Sequence, residues 1–193
     1  MRLIFISIAL FGALAVPAFA HTAVGSANSF GTGVAHPFGG ADHLIAITLV
    51  GLWSALGGGR AIIAWPVTFM AAMLGGFVAA SLGLQISFVE AAICLTIVLL
   101  GAFIAFDVRV SVMPGAAVVS FFAFFHGHAH GTEAAAELVP YAAGFTFATA
   151  ALLAFGIGVG LCARSLSGTA AMRIAGGCGA LLGLSLFGFG GLA

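Results

Sequence analysis

Charge is what this sequence has least of. Only 5% of its 193 residues are charged, against roughly 25% in a soluble globular domain. Lysine is absent, and the five basic residues are all arginine, balanced by five acids. With no run of like charge, nothing points to nucleic acid or an acidic partner. Cysteine is scarce too. Cys94, Cys162 and Cys178 lie inside apolar runs and form no CxxC pair, so neither a disulfide framework nor a zinc ribbon is indicated. No Walker motif is present, so this chain does not itself use ATP. What remains is apolar: 63% hydrophobic residues and a mean hydropathy of +1.28. So short a chain cannot bury that much apolar surface against itself, and the excess must face lipid. The 29 glycines suit close helix packing in a bilayer, where small residues let backbones approach.

Residues 1–20 read as a secretory signal peptide: Arg2 gives the positive start, Leu3 to Val16 the apolar core, and Ala18-Phe19-Ala20 an A-x-A cleavage site. The alternative is an uncleaved first membrane helix. Cleavage would leave His21 at the mature N-terminus, either a chelating amine-imidazole pair or a chance residue. Residues 22–34 are small, polar and glycine-rich and read as an exported loop. Six apolar runs follow, near 36–57, 61–84, 88–107, 111–131, 138–163 and 170–191. Each approximates the ~20 residues that cross a ~30 Å hydrocarbon core as a helix, and none alternates as a barrel strand would. The fold class is therefore all-α: a polytopic membrane protein with six transmembrane helices after a cleavable signal peptide, residues 21–193 forming a single domain. Arg60 and Arg109 fall between runs 1 and 2 and runs 3 and 4, and Arg164 and Arg173 flank the junction of runs 5 and 6. An exported N-terminus places all three loops in the cytoplasm, as the positive-inside rule requires.

The polar residues sort onto the other side. His36, Asp42 and His43 head the first run, Glu90 opens the third, and His126, His128 and His130 close the fourth, with Glu133 and Glu137 in or just beyond the next turn. Asp107 lies at the inner end, two residues from Arg109, and reads as a helix-end acid beside an arginine. Positions i, i+4 and i+7 share one helix face. His36 and His43 are seven apart and His126 and His130 four apart, with Glu133 and Glu137 continuing the second stripe. His128 points elsewhere. Asp42, about 100° round the helix from His43, would ligate beside it or orient its ring. Gly39-Gly40 after Pro37 loosens the first turn, with free carbonyls as further ligands. Glu90 is a ligand or gate, or an interfacial acid meeting water. Phe69 stands mid-way in the second run. Ionisable groups inside membrane helices are costly and mark pathways or sites. Imidazole with carboxylate suits nickel, cobalt, zinc, copper or iron, whereas magnesium and calcium prefer all-oxygen sites. The alternative role for these side chains is hydrogen bonding between helices.

The two motifs, His36-Pro37 through Asp42-His43 and Phe125-His126-Gly127-His128-Ala129-His130-Gly131 with Glu133, together with the signal peptide and the histidine-rich fourth run, resemble the HupE/UreJ family along the whole chain. That resemblance implies a permease for nickel, sometimes cobalt, accessory to hydrogenases and ureases. It implies metal-handling roles for His36, Asp42, His43, His126, His130 and Glu133, with Glu90 as an addition. The expectations are then a protein that is not an enzyme, with no permanently bound cofactor, in the bacterial inner membrane with a periplasmic N-terminus. It would move nickel or cobalt inward and pass it to a cytoplasmic metallochaperone or a hydrogenase or urease maturation system. The competing readings are a membrane-embedded zinc-dependent hydrolase with Asp42 or Glu133 activating water, and a b-type haem protein, which leaves Asp42 and Glu133 without a role. The last two runs offer almost no ligands for an inner site.

Overall fold

The computed structural model describes residues 29–134 and 137–189. They form seven helices: α1 (Ser29–Gly39), α2 (Ala41–Gly57), α3 (Ala61–Ser81), α4 (Val89–Ala105), α5 (Val112–Glu133), α6 (Leu138–Ser167) and α7 (Ala170–Phe189). Among the described residues there is no strand, so the chain is all-α. The signal segment 1–20 and His21 lie outside the described residues. Helices α3, α5, α6 and α7 are each long and apolar enough to cross a membrane. The pair α1–α2 passes as a fifth span if its 82° bend is read as a break within one crossing. Helix α4 is apolar but shorter, at 17 residues.

The bend corrects two expectations. The first run is two helices and not one, and residues 29–34 are the opening turns of α1 and not loop. Local chemistry explains the break. Pro37 removes a backbone donor from the end of α1, and Gly40 takes an extended conformation, φ −111° and ψ 122°, at the head of α2. A side chain at Gly40 would meet Asp42 Oδ1 at 2.5 Å, so a larger residue at the corner would push the Asp42 carboxylate aside. Tertiary packing explains the helical start at Ser29: Gly33 of α1 lies directly on the α6 backbone at Tyr141, and Gly144 of α6 on that of Phe30.

The same device recurs in the other main pairings. Gly51 meets Gly156 where α2 crosses α6, and Gly101 meets Gly176 where α4 crosses α7. A Cβ on Gly127 of α5 would strike the Met73 carbonyl of α3, and one on Gly76 would strike that of Phe124. Close backbone approach replaces the hydrophobic drive that lipid cannot supply. The buried column includes Trp53, Trp65, Phe69 and Met73, all at most 1% exposed. The outside is apolar as well: Ile63, Met113, Phe121, Phe147 and Leu181 are exposed, which suits a lipid surround. Hydroxyls within the helices bond back one turn, as from Ser54 to the Val50 carbonyl and Thr96 to that of Ala92, each at 2.8 Å.

Helix directions separate the arginines from the histidines. Arg173 donates to the Ala105 carbonyl at the end of α4 (2.9 Å), and Arg164 reaches the Ala55 carbonyl near the end of α2 (3.4 Å). Arg109 grips Asp107 through two bonds of 3.0 and 3.2 Å. Cations at helix C-termini meet the negative end of the dipole. The indole N–H groups of Trp53 and Trp65 donate at the same end, to the carbonyls of Val108 and Val112. The start of α2 and the end of α5, where the histidines lie, form the opposite end.

Candidate functional site

The Gly40 corner brings His36 beside His43. Their ring centres are 6.0 Å apart, and the proximity comes from a turn in the chain and not from the seven-residue helical spacing. Helix α5 supplies the facing side. His130 lies 4.6 Å from His36 and 5.1 Å from His43, and His126 lies 5.3 Å from His43, centre to centre. Four imidazoles from three helices therefore form a continuous file. Burial grades along it. His36 has a partly exposed side chain (15%) whose Nε2 stands 3.1 Å from Glu133 Oε2, while His126 and His130 are wholly buried. Beyond His126 comes Phe69, ring centres 5.9 Å apart.

Hydrogen bonds fix which nitrogens are available. The Asp42 carboxylate accepts the His43 backbone N–H (2.8 Å) and faces His43 Nδ1 at 3.2 Å. Asp42 thus holds the ring, and His43 Nε2 is left buried without a partner. His126 Nδ1 lies 3.0 Å from the Phe122 carbonyl. A carbonyl only accepts, so Nδ1 carries the proton and the lone pair is on the buried, unpartnered Nε2. His130 lies flat on Phe145 (4.5 Å, 9°), and neither of its nitrogens has a partner. Buried polar groups in proteins are nearly always paired, so three such imidazoles side by side need an explanation. An electron-pair acceptor would take one lone pair from each of the three. As they stand, no three His, Cys, Asp or Glu side chains among the described residues enclose an ion. The set is an open file of donors.

The other candidates sort plainly. Glu133 ends α5 and joins the file through His36. Glu137 departs from the stripe, because α5 stops at Glu133 and Glu137 stands exposed at the head of α6. His128 turns away: its Nε2 lies 2.8 Å from the Leu84 carbonyl in the loop after α3. Glu90 is exposed in the first turn of α4, near enough for its charge to act on His43. The sequence reading missed Tyr141 and Phe145. Tyr141 stands edge-on to His36 at 5.8 Å, and Phe145 is the platform under His130. Nothing distinguishes either from ordinary packing aromatics in an apolar run.

The sequence matches the HupE / UreJ protein family over residues 8–186. The chain belongs to the HupE/UreJ family. Among curated relatives, the protein HupE of Rhizobium leguminosarum bv. viciae is 40% identical over 177 residues, 90% of this chain and 93% of that one. No solved structure matches. Membership agrees with the bundle of apolar helices, and this HupE/UreJ chain is a membrane protein.

Proposed function

We propose that the chain is a permease carrying a divalent transition metal, nickel first and cobalt second, from the periplasm to the cytoplasm. It crosses the bacterial inner membrane six times: the broken α1–α2 span, α3, α4, α5, α6 and α7. A cleaved signal precedes it, and the 21–193 domain carries its N-terminus outside. The observation that carries this reading is the meeting of His36, His43, His126 and His130, with unpartnered nitrogens on the three buried rings.

A hydrated cation enters at Glu133 and His36, where negative charge and partial exposure lower the cost of approach. Imidazole nitrogens replace its waters one at a time as it passes to His43 and His130, then to His126. Asp42 keeps His43 in the orientation that offers Nε2. Passage needs binding firm enough to select and loose enough to release, and an open file of donors meets that need better than a closed four-ligand cage. Glu90 contributes a negative charge beside the entrance. Inward of His126 the way is filled by Phe69 and by Trp65 against Trp53, whose ring centres are 4.3 Å apart. The ion moves on only when these aromatics part. A cytoplasmic metallochaperone or hydrogenase or urease maturation system then receives it. The chain is not an enzyme, and family membership lends the zinc-hydrolase alternative no support.

The test is accumulation of radiolabelled nickel and cobalt in vesicles containing the purified protein. Saturable uptake that falls at least tenfold in His130→Ala at limiting metal supports the proposal. Retention of stoichiometric zinc through dialysis, without accumulation, contradicts it.

A further inference from the structure

Tyr141 is the only tyrosine in a chain with nineteen phenylalanines. It belongs to an aromatic cluster near the start of α6, with Phe145 at 5.6 Å and Phe77 at 6.2 Å between ring centres. Phenylalanine serves at both neighbouring positions, so packing alone does not call for a hydroxyl. Here the hydroxyl is a liability. Tyr141 is 6% exposed, and its O–H has no hydrogen-bond partner. Buried tyrosine hydroxyls normally find one, and leaving one unpaired costs free energy.

Its position supplies the reason. The Tyr141 ring stands edge-on to His36, 5.8 Å away at 71°, and His36 Nε2 is 3.1 Å from Glu133. The Glu133 carboxylate is near enough for its charge to act on the phenol. Gly33 and Gly144 seat α1 directly on α6 at this level, so the phenol is held beside the outermost histidine of the file. A phenol both accepts and donates a hydrogen bond and stays neutral at ordinary pH. It can therefore serve a metal-bound water, a strong donor, without holding the metal itself.

We infer that the Tyr141 hydroxyl is a binding contact for a partly hydrated divalent cation at the mouth, accepting a hydrogen bond from a metal-bound water beside His36 and Glu133. This rests on the permease reading. It assigns the outer end of the file to an ion that still carries water and leaves full imidazole ligation to the buried rings.

The experiment uses the full chain in vesicles, with nickel as the probe. Tyr141→Phe keeps the ring and removes only the hydroxyl. Loss of one hydrogen bond to a charged group predicts a half-saturating concentration about 10-fold higher, with the maximal rate within about twofold by the same reasoning, since the contact acts on entry. Thr146→Val is the matched control, because Thr146 Oγ1 is another buried, unpartnered hydroxyl on the same helix. It leaves uptake unchanged. Ultraviolet resonance Raman of wild type gives a signal from one tyrosine alone. Its hydrogen-bonding signature shifts on adding nickel and does not shift in the absence of metal. Active wild type with an unaltered Tyr141→Phe half-saturation, an equal effect from Thr146→Val, or a tyrosine signature indifferent to nickel each overturns the inference. Wild-type vesicles that accumulate no nickel overturn the permease reading and this one with it.

Discussion

In the proposed permease Asp42 acts on the ion through His43, and Asp42→Asn isolates that role. Asp42 accepts the His43 backbone N–H at 2.8 Å and faces His43 Nδ1 at 3.2 Å. Asparagine has the same shape, and its carbonyl oxygen can still accept the backbone N–H. It lacks the charge that fixes the His43 tautomer and makes Nε2 more basic. Removing such an orienting partner costs about 10–100-fold in metal affinity, equivalent to roughly 1.4–2.7 kcal/mol. The stability cost is smaller: losing an acid from the first turn of α2 forfeits about 0.3–1 kcal/mol of helix-dipole interaction. The variant should therefore reach the membrane in normal amount and melt within a few degrees of wild type. Its nickel uptake should saturate at 10–100-fold higher concentration by the same estimate. Uptake at wild-type half-saturation would refute the orienting role. A large drop in melting temperature alongside the lost uptake would move Asp42 from function to folding.

Two further predictions follow from the same geometry. A ligating imidazole must be unprotonated, so uptake weakens as pH falls through the ordinary histidine range near ~6.5; vesicle uptake measured from acid to neutral pH should rise with pH, and uptake that climbs with acidity would contradict imidazole ligation. Gly127→Ala should destabilise by about 1–3 kcal/mol through overpacking, since its Cβ meets the Met73 carbonyl. Gly75→Ala, with open space around it, should stabilise by up to about 1 kcal/mol through helix propensity; thermal unfolding in detergent of the two variants checks the pair, and equal shifts would remove the close-contact account of α3 against α5.

The helices were legible because lipid demands long apolar runs, and α3, α5, α6 and α7 begin within a residue of the runs that announce them. The break at Gly40 was only half legible. Pro37 and Gly39-Gly40 signalled a loosened turn, but an 82° corner depends on α1 lying against α6, a contact that local sequence does not encode. The polar residues of the site stood out because ionisable groups are rare in such a chain. Their spacing misled at both ends. His36 approaches His43 around a corner, and Glu137 falls beyond the end of α5. Tyr141 and Phe145 were invisible because an aromatic in an apolar helix carries no signal of what lies beneath it. Sequence alone allows Asp42 to be ligand or orienting group, and its contact with His43 Nδ1 favours the second role.

In the proposed permease, imidazoles from α2 and α5 take the same ion. Nickel-edge X-ray absorption on the full chain in lipid nanodiscs, loaded with one equivalent of nickel, reads those ligands. Shared ligation gives scattering from at least two imidazole rings, reduced in His43→Ala and reduced again in His43→Ala/His130→Ala. A spectrum of oxygen ligands alone, identical in wild type and both variants, would contradict it.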